Sequence, residues 1–193
     1  MTTEDKYAFR FDCGATWLNL LATKGRSFSA HPVERLDTLA RLAEWLDRSE
    51  LRPEHPPTAD HLTQTIHLRE TLRPLALATV DGVAPPAAAV AELTAFLAEH
   101  DEPVRLTVTD RLHREPPATA RDALARIAFQ AVDHLTGPER AALQVCPEHD
   151  CRGVFTAPTG RRRWCPAPSC ASRGRVRAMR ARRAGTAIEP PIG

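Results

Sequence analysis

Apolar residues recur along this chain mainly at the spacing of amphipathic helices. A short apolar helix is predicted at 17–21, and a longer one is predicted to start at His31-Pro32, where proline suits the first helical turn, and to close before Pro53. The next helix is predicted to begin with Thr58 as its N-cap. Pro74 should kink or end that helix, because proline removes a backbone donor and clashes with the preceding turn.

Two further helices and two stretches of strand complete this pattern. Apolar positions predict helices around 90–97 and over about 118–135, the second followed by a short helical turn. Alternation of apolar and polar residues predicts a strand at 7–12 and another at 104–109, the latter as one arm of a hairpin returning near 111–115. Several helices with a few strands and no internal repeat predict a mostly helical α+β body.

The overall composition is that of an ordinary globular protein. Of the 193 residues, 42% are hydrophobic and 26% are charged. No apolar run approaches the roughly 20 residues of a membrane span, and the polar, mixed-charge residues 1–6 do not resemble a secretion signal. We therefore expect a soluble, cytoplasmic protein.

Charge is distributed very unevenly along the chain. Segment 146–183 holds ten arginines against two acids, a net charge of +8, whereas the rest has 16 basic and 22 acidic residues, a net charge of −6. An acidic body joined to a strongly basic end points to a nucleic acid or another polyanion as partner.

Four of the five cysteines form two pairs of the pattern C-x4-C, separated by 13 residues: Cys146, Cys151, Cys165 and Cys170. Structural zinc takes four such ligands in a tetrahedron, commonly as two short-spaced pairs, so the spacing predicts one zinc ion. Four thiolates leave no position for water, which predicts a structural and not a catalytic ion. The alternatives are two buried disulfides, four unrelated thiols, or replacement of one sulfur by His149.

The residues around these cysteines predict a small zinc finger. Residues 154–156 and 163–164 are expected to pair as a hairpin around a turn at 158–160. A basic helix should follow Cys170, with Val176 and Met179 facing the zinc site and with Gly174 weakening it by about 1 kcal/mol relative to alanine. We divide the chain into a body at 1–140, a finger with its basic helix at 141–184 and a disordered tail at 185–193. The body is expected to fold without the finger, which depends on its metal.

A basic helix behind a zinc site is suited to following the phosphates of a nucleic acid. Alternatively, one or two arginines neutralise the −2 charge of a zinc tetrathiolate, or the basic face is merely solvated. The arginines predicted to contact nucleic acid are Arg161, Arg162, Arg163, Arg173, Arg175, Arg177 and Arg180.

Two groups of residues resemble a known family. Arg162-Arg163-Trp164-Cys165, followed by Cys170-Ala-Ser-Arg173, resembles the CGNR zinc finger, whose hallmark Cys-Gly-Asn-Arg follows an Arg-Trp-Cys segment. Segments 18–23, 42–46 and 68–72 resemble the ABATE domain that usually precedes that finger. In the hallmark only Cys170 and Arg173 carry over, and in segment 18–23 Asn19 and Ala22 replace an aspartate and an asparagine of the family pattern.

The resemblance implies an α+β domain followed by a small treble-clef or zinc-ribbon-like finger. It also implies a stress-induced transcription regulator whose finger binds DNA or RNA. The body would then serve as a sensor for a small-molecule effector or as a homodimerisation domain. A protein-interaction adaptor, in which the basic finger docks on an acidic protein partner, is the alternative.

An enzyme is the third class of function. Its candidate residues lack partners at useful spacing, and the P-loop, GxGxxG and GxSxG motifs are absent from the sequence. We therefore predict that the protein is not an enzyme. The candidates are Cys13, His61, His67 and His113.

Overall fold

The computed structural model describes residues 6–100 and 104–186, with side chains of the last helix through 183. Within these ranges, none of the helices is long and apolar enough to cross a membrane. The α-helices are α1 (Thr16–Leu21), α2 (Leu39–Arg48), α3 (Ala59–Asp81), α4 (Ala87–Ala98), α5 (Ala120–Thr136) and α6 (Pro168–Thr186), with a 3-10 helix at Pro138–Ala142. Most of the predicted tail, 187–193, lies outside the described residues.

Within the described residues, the strands form three separate antiparallel hairpins. They pair β1 (Lys24–Gly25) with β2 (Val33–Glu34), β3 (Leu106–Val108) with β4 (Leu112–Arg114), and β5 (Leu143–Val145) with β6 (Val154–Thr156). The predicted hairpin at 104–115 is thereby confirmed. Many helical residues with a few short strands confirm the predicted α+β class.

The core of the body lies where α3 packs against α5, with α1 and α4 on either side. Trp17 of α1 and Trp45 of α2 are fully buried there. The side chains of Thr58 and Thr119 cap α3 and α5 by accepting hydrogen bonds from backbone N–H groups of the first turn. The N-cap predicted at Thr58 is therefore confirmed.

Two predictions for the N-terminal third are wrong. Residues 8–12 form no strand; instead the rings of Phe9 and Phe11 lie under the guanidinium groups of Arg41 and Arg48, which fixes this segment by side-chain packing. The helix predicted from His31 begins at Leu39, because Thr38 provides the N-cap by accepting a hydrogen bond from the Arg41 amide.

Tertiary packing decides two further features. Of the two outcomes predicted at Pro74, a kink or an end of the helix, the end does not occur: α3 continues to Asp81, because the buried residues Leu72, Leu75 and Ala76 hold both sides of the proline in the core. The hairpin predicted between 154–156 and 163–164 is wrong. Residues 154–156 pair with 143–145 and not with 163–164, so the hairpin encloses the first cysteine pair.

The finger and the body share one hydrophobic core. The β5–β6 hairpin lies against α3, and β6 also contacts α1. Phe155 is fully buried in the same cluster as Trp17 and Leu72. A boundary near 140 therefore divides the sequence at a place where the packing is continuous, and independent folding of the body stays a prediction.

Candidate metal centre and its basic helix

The first cysteine pair lies in the loop that joins β5 to β6. Cys146 directly follows β5, and its amide donates to the Gly153 carbonyl (2.9 Å), which closes the loop at its base. The Cys151 and Arg152 amides both donate to the Glu148 carbonyl, at 2.9 and 3.0 Å. The left-handed backbone at Arg152 (φ 46°) completes this turn. The hairpin thus turns both sulfurs to the same side.

The second cysteine pair lies at the start of α6. Cys165 belongs to the loop before the helix, and Cys170 occupies the first helical turn, with its amide donating to the Ala167 carbonyl (3.0 Å). The first cysteine pair thus lies in the loop of a hairpin, and the last cysteine lies in a helix. This arrangement fits the predicted treble-clef finger better than the predicted zinc ribbon, in which two hairpins supply the ligands.

The four sulfurs form one compact cluster. All lie within 4.8 Å of one another, and the Cys151 and Cys165 sulfurs are 3.7 Å apart. A tetrahedral site with Zn–S bonds of about 2.3 Å requires S–S separations of about 3.8 Å, so the cluster fits zinc. A disulfide needs about 2.05 Å, and all the cysteines are free thiols. His149 is exposed in the loop and lies outside the cluster.

Four thiols this close together cannot all behave as ordinary thiols. Hydrogen bonds from the other three sulfurs lower the pKa of Cys146, while hydrogen bonding to Cys146 and Cys151 raises the pKa of Cys165. Zinc removes this conflict, because it replaces the shared protons and binds all four sulfurs as thiolates.

Two acids of the first cysteine loop are buried beside the sulfurs and are neutralised by α6. Arg173 donates to Asp150 (Nη1–Oδ2, 2.7 Å) and contacts the Cys170 sulfur (Nη2–Sγ, 3.6 Å). Arg177 binds both carboxylate oxygens of Glu148. The hydrogen bond from Arg173 holds the pKa of Asp150 below its usual range. Sequence reasoning missed this role of Glu148 and Asp150, although they are the only acids in 146–183.

The same loop is tied to the body by polar contacts. Arg26 donates to Asp150 (3.2 Å), and the Phe28 amide donates to the Asp150 carbonyl (3.1 Å). Arg152 binds the carboxylate of Asp81 at the end of α3 (2.7 Å to each oxygen). These contacts fix the orientation of the metal centre relative to the helices of the body.

The seven arginines predicted to contact nucleic acid separate into two groups. Arg173 and Arg177 form ion pairs inside the finger, and Arg162 donates to the Asp12 carbonyl (3.0 Å). The other four are exposed and form no ion pair with any carboxylate in the part of the chain that the structure describes. We call them the arginine surface: Arg161, Arg163, Arg175 and Arg180.

The loop before Cys165 and helix α6 meet at Gly174. The indole of Trp164 lies so close to Gly174 that a β-carbon there would overlap its ring atoms. Gly174 has a low helix propensity, but the contact with Trp164 leaves no room for any larger residue at this position. Val176 and Met179, predicted to face the zinc site, are instead 40% and 41% exposed, because α6 contacts the finger through Cys170, Arg173 and Gly174.

The remaining candidate residues do not assemble into a second site. Cys13 is buried, and burial raises the pKa of its thiol to about 12. His61 accepts a hydrogen bond from the Thr58 amide in the cap of α3, His67 lies 3.9 Å from Glu92, and His113 lies 3.1 Å from Asp110. Among the described residues, the four clustered cysteines form the only group of three or more metal-binding side chains.

Comparison with known families agrees with this geometry. No curated protein matches the chain. The ABATE model, described as "Putative stress-induced transcription regulator", matches residues 14–138, and the CGNR zinc finger model matches residues 142–183. Because the first match covers well over half of the sequence, the chain belongs to the ABATE family, and it carries a CGNR zinc finger that holds one structural zinc ion.

Proposed function

We propose that this protein is a transcription regulator that binds DNA or RNA through the arginine surface of its zinc finger. The observation that carries the proposal is the group of four exposed arginines without carboxylate partners among the described residues. Positive charges that the protein does not neutralise are free to bind phosphates, and phosphate contacts supply most of the non-specific affinity for nucleic acids.

The positions of the arginines along α6 support a distinction between structural arginines and arginines that bind a partner. Arg173, Arg177 and Arg180 recur at i, i+4 and i+7 and so lie on one face of the helix. The first two are held by Asp150 and Glu148, and Arg180 extends the same row beyond those acids. The paired arginines hold the helix on the metal centre, and the next arginine is left for a partner.

The loop and the helix that carry these arginines are in contact. Arg163 lies over the ring of Trp164 (5.3 Å to the centroid), and Trp164 contacts Gly174, the residue before Arg175. The zinc site fixes both segments, because Cys165 belongs to the loop and Cys170 lies in the first turn of the helix. Zinc would thus act indirectly in binding, by holding the arginines in place.

The experiment compares two variants that lose the same charge. One replaces Arg161, Arg163, Arg175 and Arg180 by alanine; the control replaces the exposed body arginines Arg52, Arg105, Arg111 and Arg140. Fluorescence anisotropy with labelled duplex DNA and single-stranded RNA at low salt measures affinity, and zinc content and circular dichroism check the fold. We expect the surface variant to bind on the order of a hundredfold more weakly and the control to bind nearly as wild type.

Equal binding by wild type and the surface variant would overturn the proposal. Binding of an acidic protein surface but of neither nucleic acid would favour the adaptor function instead. We also propose that the protein is not an enzyme, which is supported by the high pKa of Cys13 and by the separate structural contacts of the histidines. A role of the body in sensing an effector or in homodimerisation, and a cytoplasmic location, stay predictions.

A further inference from the structure

A cavity of about 320 Å³ lies between the body and the finger. The body lines it with the N-terminal segment, the end of α1 and strand β1. The finger lines it with Gly153, Val154 and the segment from Cys165 to the first turn of α6. Residues far apart in the sequence therefore enclose one space, directly beside the metal centre.

The cavity wall is strongly basic. Its six cationic side chains are Lys6, Arg10, Lys24, Arg26, Arg35 and Arg73. No carboxylate is among the described residues that line it. The wall also contains Leu21, Ala22, Val33, Val154 and Pro166. The cavity thus combines positive charge with an apolar surface.

Acidic side chains pair with three of these cations. Glu70 contacts Lys24 (3.5 Å) and Arg73 (3.1 Å), and Asp150 contacts Arg26 (3.2 Å). The Arg35 guanidinium, in contrast, forms no ion pair with a carboxylate of the described residues.

Arg35 is the residue that most strongly indicates anion binding in this cavity. Its side chain is 7% exposed and donates only to the carbonyls of Ala22 (3.1 Å) and Lys6 (2.9 Å), while its buried Nε has no hydrogen-bond partner within the described chain. Gly25 leaves room for it, since a β-carbon there would lie 2.6 Å from Nη1. A buried guanidinium that forms no ion pair among the described residues is costly, so an anion-binding role would explain why it is retained.

We propose that this cavity binds a small organic anion, a carboxylate or phosphate attached to an apolar group. The anionic group would pair with Arg35 and the neighbouring cations, and the apolar group would contact Leu21, Val33 and Val154. Residues of the body and of the finger both line the cavity, so the ligand would bind only while the two are packed together. Binding would therefore stabilise the packed state. This inference does not depend on nucleic-acid binding.

The test uses the zinc-loaded full chain and no nucleic acid. Isothermal titration measures binding of benzoate and of phenyl phosphate, with benzamide as the uncharged analogue and inorganic phosphate as the anion without an apolar group. We expect one-to-one binding of benzoate or phenyl phosphate with a Kd below about 1 mM, with benzamide and inorganic phosphate at least tenfold weaker. The stronger of the two probes identifies the anionic group.

Variants locate the site. Arg35→Gln should weaken the preferred probe at least about tenfold, the loss expected for one charge-assisted hydrogen bond. Because Arg35 also holds the backbone, Lys24→Gln and Arg10→Gln serve as second variants at the same wall, and Arg52→Gln serves as an exposed charge control. Absence of saturable anion binding, equal binding of benzamide, or wild-type affinity in all three wall variants would overturn the proposal.

Discussion

The indole ring of Trp164 occupies the space in which a side chain at Gly174 would lie. A β-carbon built on Gly174 would overlap Cε2, Cζ2 and Nε1 of the ring. This contact joins the loop before Cys165 to helix α6, so it fixes two of the four zinc ligands relative to each other. It also brings Arg163 close to the helix that carries Arg175.

Replacing Gly174 by alanine should therefore destabilise the finger, although alanine favours the helix by about 1 kcal/mol. Overpacking against the rigid ring should cost about 1–3 kcal/mol, and more than the propensity gain. The matched control is Ser172→Ala, an exposed site on the same helix, which should be neutral or slightly stabilising. Chemical denaturation of the zinc-loaded protein measures both. A Gly174→Ala protein more stable than wild type would contradict the packing assignment.

Arg173→Ala should lower the affinity of the finger for zinc. Arg173 contacts both Asp150 and the Cys170 sulfur, so its removal leaves a buried carboxylate and a thiolate less neutralised. Residues that support metal ligands typically contribute 10- to 100-fold to metal affinity, and we expect about that loss in competition with a chelator. Arg173→Lys should recover only part, because one ammonium cannot bridge both partners as a guanidinium does. The control is Arg175→Ala, which should retain wild-type zinc affinity; an equal loss in both variants would indicate a general charge effect.

Zinc removal should lower the stability of the whole protein. The sequence predicts that the body survives without the finger, but Phe155 and Val154 of the finger lie in the same core as Trp17. Unfolding of the β5–β6 hairpin would expose α1 and α3 to water, at a cost proportional to the apolar area. We therefore expect Cys165→Ser to melt in a single transition at lower temperature, measured by calorimetry. Two separate transitions, with the upper one at the wild-type temperature, would show that the body folds alone.

The ion pair between Glu34 and Arg69 should make stability depend on acid pH. Arg69 is 1% exposed and binds both carboxylate oxygens of Glu34 (2.7 Å each). Burial alone would raise the pKa of Glu34, but the hydrogen bond and charge of Arg69 lower it below its ordinary value of 4.5. A lowered carboxyl pKa stabilises the fold above the unfolded pKa, and this contribution is lost as pH falls through the folded pKa.

Glu34→Gln should consequently lower the free energy of unfolding by about 2 kcal/mol at pH 7. This is less than the loss expected when a buried ion pair is fully broken, because Glu70 still contacts Arg69. The difference from wild type should shrink below about pH 4.5, where Glu34 itself becomes protonated. Glu54→Gln, at an exposed site, should match wild type at every pH. Denaturant titrations across pH provide the measurement. A difference between Glu34→Gln and wild type that is independent of pH would rule out ionisation of Glu34 as its cause.

Local sequence signals were sufficient for two features that short segments decide, the cysteine cluster and the start of α3. The spacing of Cys146, Cys151, Cys165 and Cys170 predicted the cluster that the structure shows, because two short pairs carry the geometry of the metal. Thr58 predicted the start of α3, because an N-cap acts within one turn. Pro74 does not end α3, because the cost of one lost hydrogen bond is smaller than the gain from burying the residues on both sides of it.

Features that depend on distant contacts could not be predicted. The pairing of Glu148 with Arg177 joins residues 29 positions apart, and the helix alone gives no sign that Arg177 is engaged and Arg175 is not. The cavity is less predictable still, because its wall extends from Lys6 to Cys170. A count of arginines describes the charge of the finger, but only the fold shows which charges are neutralised.

The salt dependence of nucleic-acid binding should distinguish these two sets of arginines. If the four residues of the arginine surface each contact a phosphate, log K for duplex DNA should fall against log salt with a slope of about −3.6. Arg175→Ala should reduce the magnitude of that slope by about 0.9 and weaken unrelated sequences equally, because phosphate contacts do not read bases. Arg177 lies two residues from Arg175 on the same helix, but its guanidinium is held by Glu148. Arg177→Ala therefore removes the same charge as Arg175→Ala, from an arginine that is already paired. It should leave the slope nearly unchanged and instead lower the melting temperature of the protein. Equal changes of slope in both variants, measured by anisotropy over a salt series, would show that the ion pair opens on binding and that the contact surface includes Arg177.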